Sequence, residues 1–162
     1  MKQSSPHLNT FFEKLNLPTS NIEPDLECEA YFGFNFQLRH TNIKFRKAKI
    51  TPKKIGQFVT LWRRNTKGVT EPFTTADLFD YYVVYMKKDS QKGFFIFPKR
   101  ILGEKHLLTN GTKEGKRGFR VYAIWDKPAN KQAQKTKAWQ TNFFVDLEHE
   151  NARQKIIDLL SS

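Results

Sequence analysis

Three stretches of the chain concentrate side chains that hold anions. Arg46, Lys47 and Lys49 crowd one short segment and Lys53, Lys54, Arg63 and Arg64 the next, while Lys113, Lys116, Arg117 and Arg120 surround a glycine-containing loop. Between Asn42 and Arg64 no acid interrupts the series. Lysine and arginine neutralise backbone phosphates and release the counterions condensed on a polyanion, a contact with little sequence preference. Thr51-Pro52 adds a helix-start pair whose free amides would also face an anion. Phosphate is thus the ligand that these residue types favour. The same charges equally suit an acidic protein surface or a merely solvated face.

Other chemistry is thinly represented. Cys28 is the only cysteine, which excludes an internal disulfide. His7, His40, His106 and His149 are too scattered for zinc spacing, so no metal and no cofactor are expected. A Cys28 nucleophile would need a histidine beside it, and a buried structural thiol is the commoner case. "KGFFIF" and "RGFRVY" look like the aromatic strand of an RNA-recognition domain, but phenylalanines in continuous apolar strands read as core. Tyr31, Trp125 and Trp139, flanked by polar residues, are the better stacking rings.

These side chains need a scaffold, and the composition supplies one. The 162 residues suffice for one core, with 38% hydrophobic and 14% aromatic residues, fifteen of them phenylalanine. A net charge of +12 favours polyanionic partners. No apolar run reaches the ~20 residues of a membrane span and no signal-like h-region opens the chain, so a cytoplasmic protein with no membrane partner is expected.

Pattern then places the elements. Residues 1–28 read as a lead-in, helical over Asn9–Leu17 with Phe11, Phe12, Leu15 and Leu17, followed by a loop "PTSNIEPD". Phe32, Phe34, Phe36 and Leu38 alternate on a half-buried strand. A hairpin partner over Ile43–Ile50 requires a bulge at Arg46–Lys47, which would return Ala48 and Ile50 to the face of Ile43 and Phe45. Lys44, Arg46, Lys47 and Lys49 would then point outward. Ile55, Phe58, Val59 and Trp62 fit the i, i+3, i+4, i+7 stripe of a helix started by Thr51-Pro52, with Lys53 and Arg64 on its far face. "FDYYVVYM" and "GFFIFP" read as central strands covered on both faces. A short helix from Pro98, an exposed loop "LLTNGTKEGKRG", a strand "FRVYAIW", a polar helix "NKQAQKTKAWQ", a strand "FFVDL" and a helix "ENARQKIIDLL" complete the order. The expected fold is α+β: one domain over 1–162, with a core at 29–147, a C-terminal helix at 148–162, and a mixed, largely antiparallel sheet flanked by helices, its N-terminal hairpin at an edge.

"FNFQL", "IKFRKAKITPKKIGQFVTLWRR", "EPF", "FFIFPKRIL", "GKRGFRVYAIWD" and "KQAQKTKAWQ" together resemble the MepB family, over roughly Glu29 to Leu147 and in the family's order. The resemblance implies nucleic-acid binding and a shape related to restriction-type nucleases. A nuclease of that kind needs an acid at one strand's start, then an acid and a lysine two apart on the next strand, to hold Mg beside the scissile phosphate. Asp80 and Lys99 fill two of these places, but Phe97 stands where the second acid is required. Glu27 and Glu29 on one strand face, or Asp77 near Asp80, are the alternative acids.

The expectation is a non-catalytic nucleic-acid-binding module, for DNA or RNA, that contacts the phosphate backbone through the basic residues named above. The alternatives are a divergent Mg-dependent nuclease using Asp80 and Lys99, and a module that docks an acidic protein partner.

Overall fold

A computed structural model describes residues 12–161. Along the chain these form β1 (Thr19–Pro24), a 3-10 segment (Leu26–Tyr31), β2 (Phe34–Leu38), β3 (Thr41–Lys47), β4 (Lys49–Ile50), β5 (Gln57–Thr60), β6 (Trp62–Arg64), β7 (Thr70–Pro72), β8 (Tyr81–Lys88) and β9 (Gln91–Pro98). There follow α1 (Lys99–Glu104), β10 (Gly118–Val121), α2 (Lys131–Gln140), β11 (Phe144–Asp146) and α3 (Ala152–Leu160).

The most continuously apolar segments sit at the centre. β8 and β9 form a hairpin, Tyr81 opposite Pro98 through Lys88 opposite Gln91, within a six-stranded sheet of order β1-β2-β3-β8-β9-β11. All its pairings are antiparallel except β3 with β8. Because successive side chains face opposite ways, Phe94 and Ile96 enter one apolar layer and Phe95 and Phe97 the other. Phe12, Leu17 and Ile156 of α3 close the first layer, where Phe12 stacks on Phe94 at 5.5 Å. The second layer is closed by a three-stranded sheet, β10-β5-β4, and by Leu102, Leu108, Phe119 and Trp139. β6 and β7 form a separate ribbon. The fold is therefore mixed α+β with a mostly antiparallel sheet, and no helix is long and apolar enough to cross a membrane among the described residues.

Four expectations are corrected. First, residues 51–64 are not a helix but a turn, β5 and β6. Lys53 (φ 62°) and Gly56 (φ 81°) are left-handed, which breaks any helix, and the buried residues are Gln57, Val59 and Leu61, at period two. Ile55 is 44% exposed and Trp62 only half-buried. Second, no bulge turns Arg46 outward. β3 lies inside the sheet with both edges paired, to β2 and β8, and Arg46 is 1% exposed. Ala48 joins the opposite layer from Ile43 and Phe45, and Ile50 is exposed. Third, Thr19–Pro24 is an edge strand against β2 and not a loop. Fourth, Glu27 and Glu29 lie on the 3-10 segment, whose first free amide, that of Glu27, is capped by Asp25, so they share no strand face. The Asn9–Phe11 part of the expected lead-in helix lies outside the described residues; 12–14 is helical.

Candidate nucleic-acid interface

The site is built on β10 and α2. β10 pairs with β5, Phe119 opposite Val59 and Arg120 opposite Phe58. Among the described residues its other edge meets no strand and is covered instead by Gln140, which is fully buried at the end of α2. The Gln140 Oε1 accepts from the Tyr122 amide at 2.8 Å, and its Nε2 donates to the Arg120 carbonyl at 2.9 Å. One side-chain amide thus reproduces the donor and acceptor of a neighbouring strand. At the other end of α2 the Asn130 Oδ1 accepts from the Ala133 amide at 2.8 Å, an N-cap that starts the helix.

Between β10, α2 and the α1–β10 loop runs a groove of about 890 Å³, lined by Lys105, Lys116, Phe119, Arg120, Lys135 and Trp139 among others. A second hollow of about 350 Å³, lined by Lys53, Lys54 and Ile55, shares Arg120, Tyr122, Asn130 and Ala133 with the first. The two are continuous. Together they gather six cations, and no carboxylate lines either. Trp139 packs against Phe97 at 5.6 Å between ring centroids and against Phe143, and the Lys105 ammonium lies 5.4 Å from its indole centroid.

Arg120 ties the two parts together. Its Nε donates to the Ile55 carbonyl at 3.2 Å, and its Nη2 to Thr51 Oγ1 at 2.9 Å and the Gly56 carbonyl at 3.0 Å. These bonds hold the 51–56 loop, and with it Lys53 and Lys54, against β10. Gly56 is required there: besides its positive φ, an added Cβ would come within 2.8 Å of the Tyr122 ring. Thr51 therefore acts as an acceptor for Arg120 and not as a helix cap.

The structure brings together four of the residues marked in the sequence, Lys53, Lys54, Lys116 and Arg120, and separates the others. Arg46 is locked inside, its Nη2 2.6 Å from Asp25 Oδ2 and its Nη1 donating to the Phe45 carbonyl at 2.8 Å. Arg63 is neutralised by Glu71 at 3.0 Å and Asp77 at 3.2 Å. Arg117 pairs with Glu114 at 3.1 Å, and Arg64 lies over Trp62 while donating to the Gly68 carbonyl. Lys47 and Lys49 line a different hollow, with their ammonium groups over Phe32 (5.3 Å) and Tyr31 (4.5 Å). Lys105 and Lys135 were missed. Lys135 had a signal, since the helix "KQAQKTKAWQ" contains no acid; Lys105 had none, because only the tertiary fold carries it to the groove.

The residues considered for metal chemistry have other partners. Asp80 Oδ2 accepts from the Asn42 amide at 2.8 Å, the Lys99 ammonium donates to the Asp77 carbonyl at 2.7 Å, and Asp77 Oδ2 accepts from the Thr74 amide at 2.7 Å. Phe97 is fully buried. Among the described residues no three His, Cys, Asp or Glu side chains converge as a ligand group. Burial pushes the Cys28 thiol above its ordinary pKa, only partly offset by nearby Arg46, so this cysteine stays protonated and weakly nucleophilic.

The sequence model of the MepB-like family matches residues 25–146. A solved structure, described as the crystal structure of MepB, is 28% identical and superposes with a TM-score of 0.81, covering 93% of this chain and 100% of that one. No curated protein matches the chain.

Proposed function

From the premise that the chain belongs to the MepB-like family, we propose that it is a non-catalytic nucleic-acid-binding module, which grips the phosphate backbone with little sequence preference along the groove between β10 and α2. The observation that carries this reading is the lining: six cations and no carboxylate around two continuous hollows. Arg46, Arg63 and Arg117, which lie elsewhere, carry carboxylate partners. In the groove the cations stand without a carboxylate beside them. A cytoplasmic setting belongs to the same proposal. The non-catalytic part is supported by Phe97, an apolar core residue where a second metal-binding acid would stand, and by Asp80, whose carboxylate holds β3 to β8 through Asn42.

The test is a titration with labelled single- and double-stranded DNA and RNA at two salt concentrations. Lys53→Glu with Lys116→Glu should weaken binding across unrelated sequences and lower the salt slope by roughly one unit for each phosphate that no longer meets a cation. Lys14→Glu with Lys155→Glu, placed near the opposite layer at equal net charge, should leave both nearly unchanged. Equal weakening in both pairs would mean unlocalised attraction. Tight binding to an acidic protein that nucleic acid fails to displace would favour a protein partner instead.

A further inference from the structure

Across β5 from the groove, the three-stranded sheet ends in β4, and a hollow of about 360 Å³ opens there. Phe32, Lys47, Ala48, Lys49, Ile50 and Lys87 line it together with Gln57, so it shares no residue with either part of the groove, and no carboxylate lines it. Two of its apolar side chains stand partly in water: Ile50 is 64% exposed and Phe32 42%. Phe32 does so from left-handed backbone (φ 51°, ψ 48°), a conformation that bulky side chains seldom adopt. Strain of this kind collects where ligands are clamped.

β4 pairs with β5, Lys49 opposite Phe58 and Ile50 opposite Gln57, and forms the end of its sheet. In an antiparallel pair alternate residues turn both backbone groups away from the partner strand, so one of these two offers an amide and a carbonyl to a further strand. Lysines at such an edge repel another copy of this chain, whose net charge is +12, and attract an acidic one. Lys47, Lys49 and Lys87 take part in none of the ion pairs among the described residues. A nucleic acid fits this place less well. The ammonium groups of Lys47 and Lys49 already cover one face each of Phe32 and Tyr31, at 5.3 and 4.5 Å from the ring centroids, and a phosphate backbone cannot extend a β-ladder. What remains is the aliphatic surface of Ala48 and Ile50, which suits a side chain more than a flat base. We propose that the β4 edge docks an acidic segment of a partner protein. The segment adds to the edge as a short strand, sets one apolar side chain against Ile50 and Phe32, and places carboxylates beside Lys47, Lys49 and Lys87. The site is separate from the groove, so a protein and a nucleic acid can be held at once.

The probe is a short synthetic peptide of glutamates with one central leucine, titrated into the isotopically labelled full chain and followed by amide NMR. Shifts should gather at Phe32, Lys47, Ala48, Lys49, Ile50 and Lys87, and the outward amide of β4 should exchange more slowly with solvent. A peptide with alanine in place of the leucine should bind about tenfold more weakly. Ile50→Ala should bring the leucine peptide down toward the alanine one, and because Ile50 is mostly exposed it should keep the parent's melting temperature and its affinity for oligonucleotides. Lys47→Glu with Lys49→Glu should abolish peptide binding, whereas Lys116→Glu with Lys135→Glu, in the groove and at equal net charge, should retain most of it. That contrast separates the β4 edge from an acidic partner seated in the groove. Equal binding of the leucine and alanine peptides, shifts confined to groove residues such as Lys53 and Lys116, or no binding at all overturns this proposal and leaves the nucleic-acid reading of the groove standing. So does displacement of the peptide by an oligonucleotide or by phosphatidylserine vesicles that shift the same β4 amides, which would assign the edge to nucleic acid or to a lipid surface.

Discussion

Gln140 is the most exacting place to perturb this architecture, since one side chain satisfies two buried backbone groups on the open edge of β10. In Gln140→Ala the Tyr122 amide loses its acceptor and the Arg120 carbonyl its donor. A buried polar group left unpaired costs about 1–3 kcal/mol. The carbonyl lies beside the hydrated groove and recovers part of this cost, so the variant should be destabilised by about 3 kcal/mol. At roughly 2–4 °C per kcal/mol for a chain of this size, the melting temperature should fall by about 6–12 °C. Gln140→Glu sharpens the test. The carboxylate still accepts from Tyr122 but sets a negative charge against the Arg120 carbonyl, while the protonated acid can donate to that carbonyl as glutamine does. The folded state therefore favours the protonated form and raises its pKa above the ~4.3 of an unfolded glutamate. A group raised in this way gives its full stability below the unfolded pKa and loses it as pH rises through the folded one. Relative to the parent protein, Gln140→Glu should be strongly destabilised at pH 7 and recover toward pH 4. Calorimetric melts of parent, Gln140→Ala and Gln140→Glu across that range check both points. A Gln140→Ala melting point within about 2 °C of the parent, or a Gln140→Glu deficit that does not shrink in acid, would refute the role assigned to this amide.

Other outcomes follow from the same structure. Arg46→Ala should cost about 3–5 kcal/mol by taking from the Asp25 carboxylate its nearest partner, measured by urea unfolding, while binding per folded molecule stays unchanged. Asp80→Ala should lose about 1–2 kcal/mol with its bond to the Asn42 amide, yet show no change in nucleic-acid binding, and chelation of divalent ions should leave binding by the parent protein unaltered. Cys28 should make the fold sensitive to alkali. Its folded pKa is raised by burial, so the unfolded chain sheds the proton first and stability falls as pH rises past 9.0. Tyr82, raised from 10.0 by burial, adds the same sign, whereas Lys44, lowered from 10.5 chiefly by burial and then by Arg46, acts oppositely. Melts of Cys28→Ala between pH 8 and 10 should fall less steeply than the parent's.

Elements whose pattern had a single solution could be read in advance. The alternation of Phe34, Phe36 and Leu38, the apolar runs of β8 and β9, and the helices ending at Gln140 and Leu160 lie where the sequence places them, whereas Phe32, expected on the same strand face, precedes β2 in left-handed backbone and is 42% exposed. Residues 55–62 had two solutions. Ile55, Phe58, Val59 and Trp62 satisfy a helix, while Gln57, Val59 and Leu61 satisfy a strand, and β-branched Val59 and Thr60 beside Gly56 favour the second. What decided it was pairing with β4 and β10, which is tertiary information. The site was legible as charge but not as availability. Arg46, Arg63 and Lys53 look alike along the chain, yet one is buried, one is neutralised by Glu71 and Asp77, and one lines the groove. Counting cations finds basic segments; only the partners of each show which of them line the groove.

The parallel pairing of β3 with β8 has a consequence in time. Ile43 meets Tyr81 only after residues 48–80 have looped out and returned, whereas β8 and β9 meet across the short Asp89 turn. Local pairings close with little sacrifice of chain entropy and distant ones with more, so the hairpin should precede the β3–β8 contact during refolding. Lys53 and Lys54 ride on that excursion, and the opposite wall waits for Gln140 to find β10. The groove is thus assembled last from segments far apart in the chain. Pulse-labelled hydrogen exchange should find β9 amides protected before those of β3 and β10, and simultaneous protection would contradict this order.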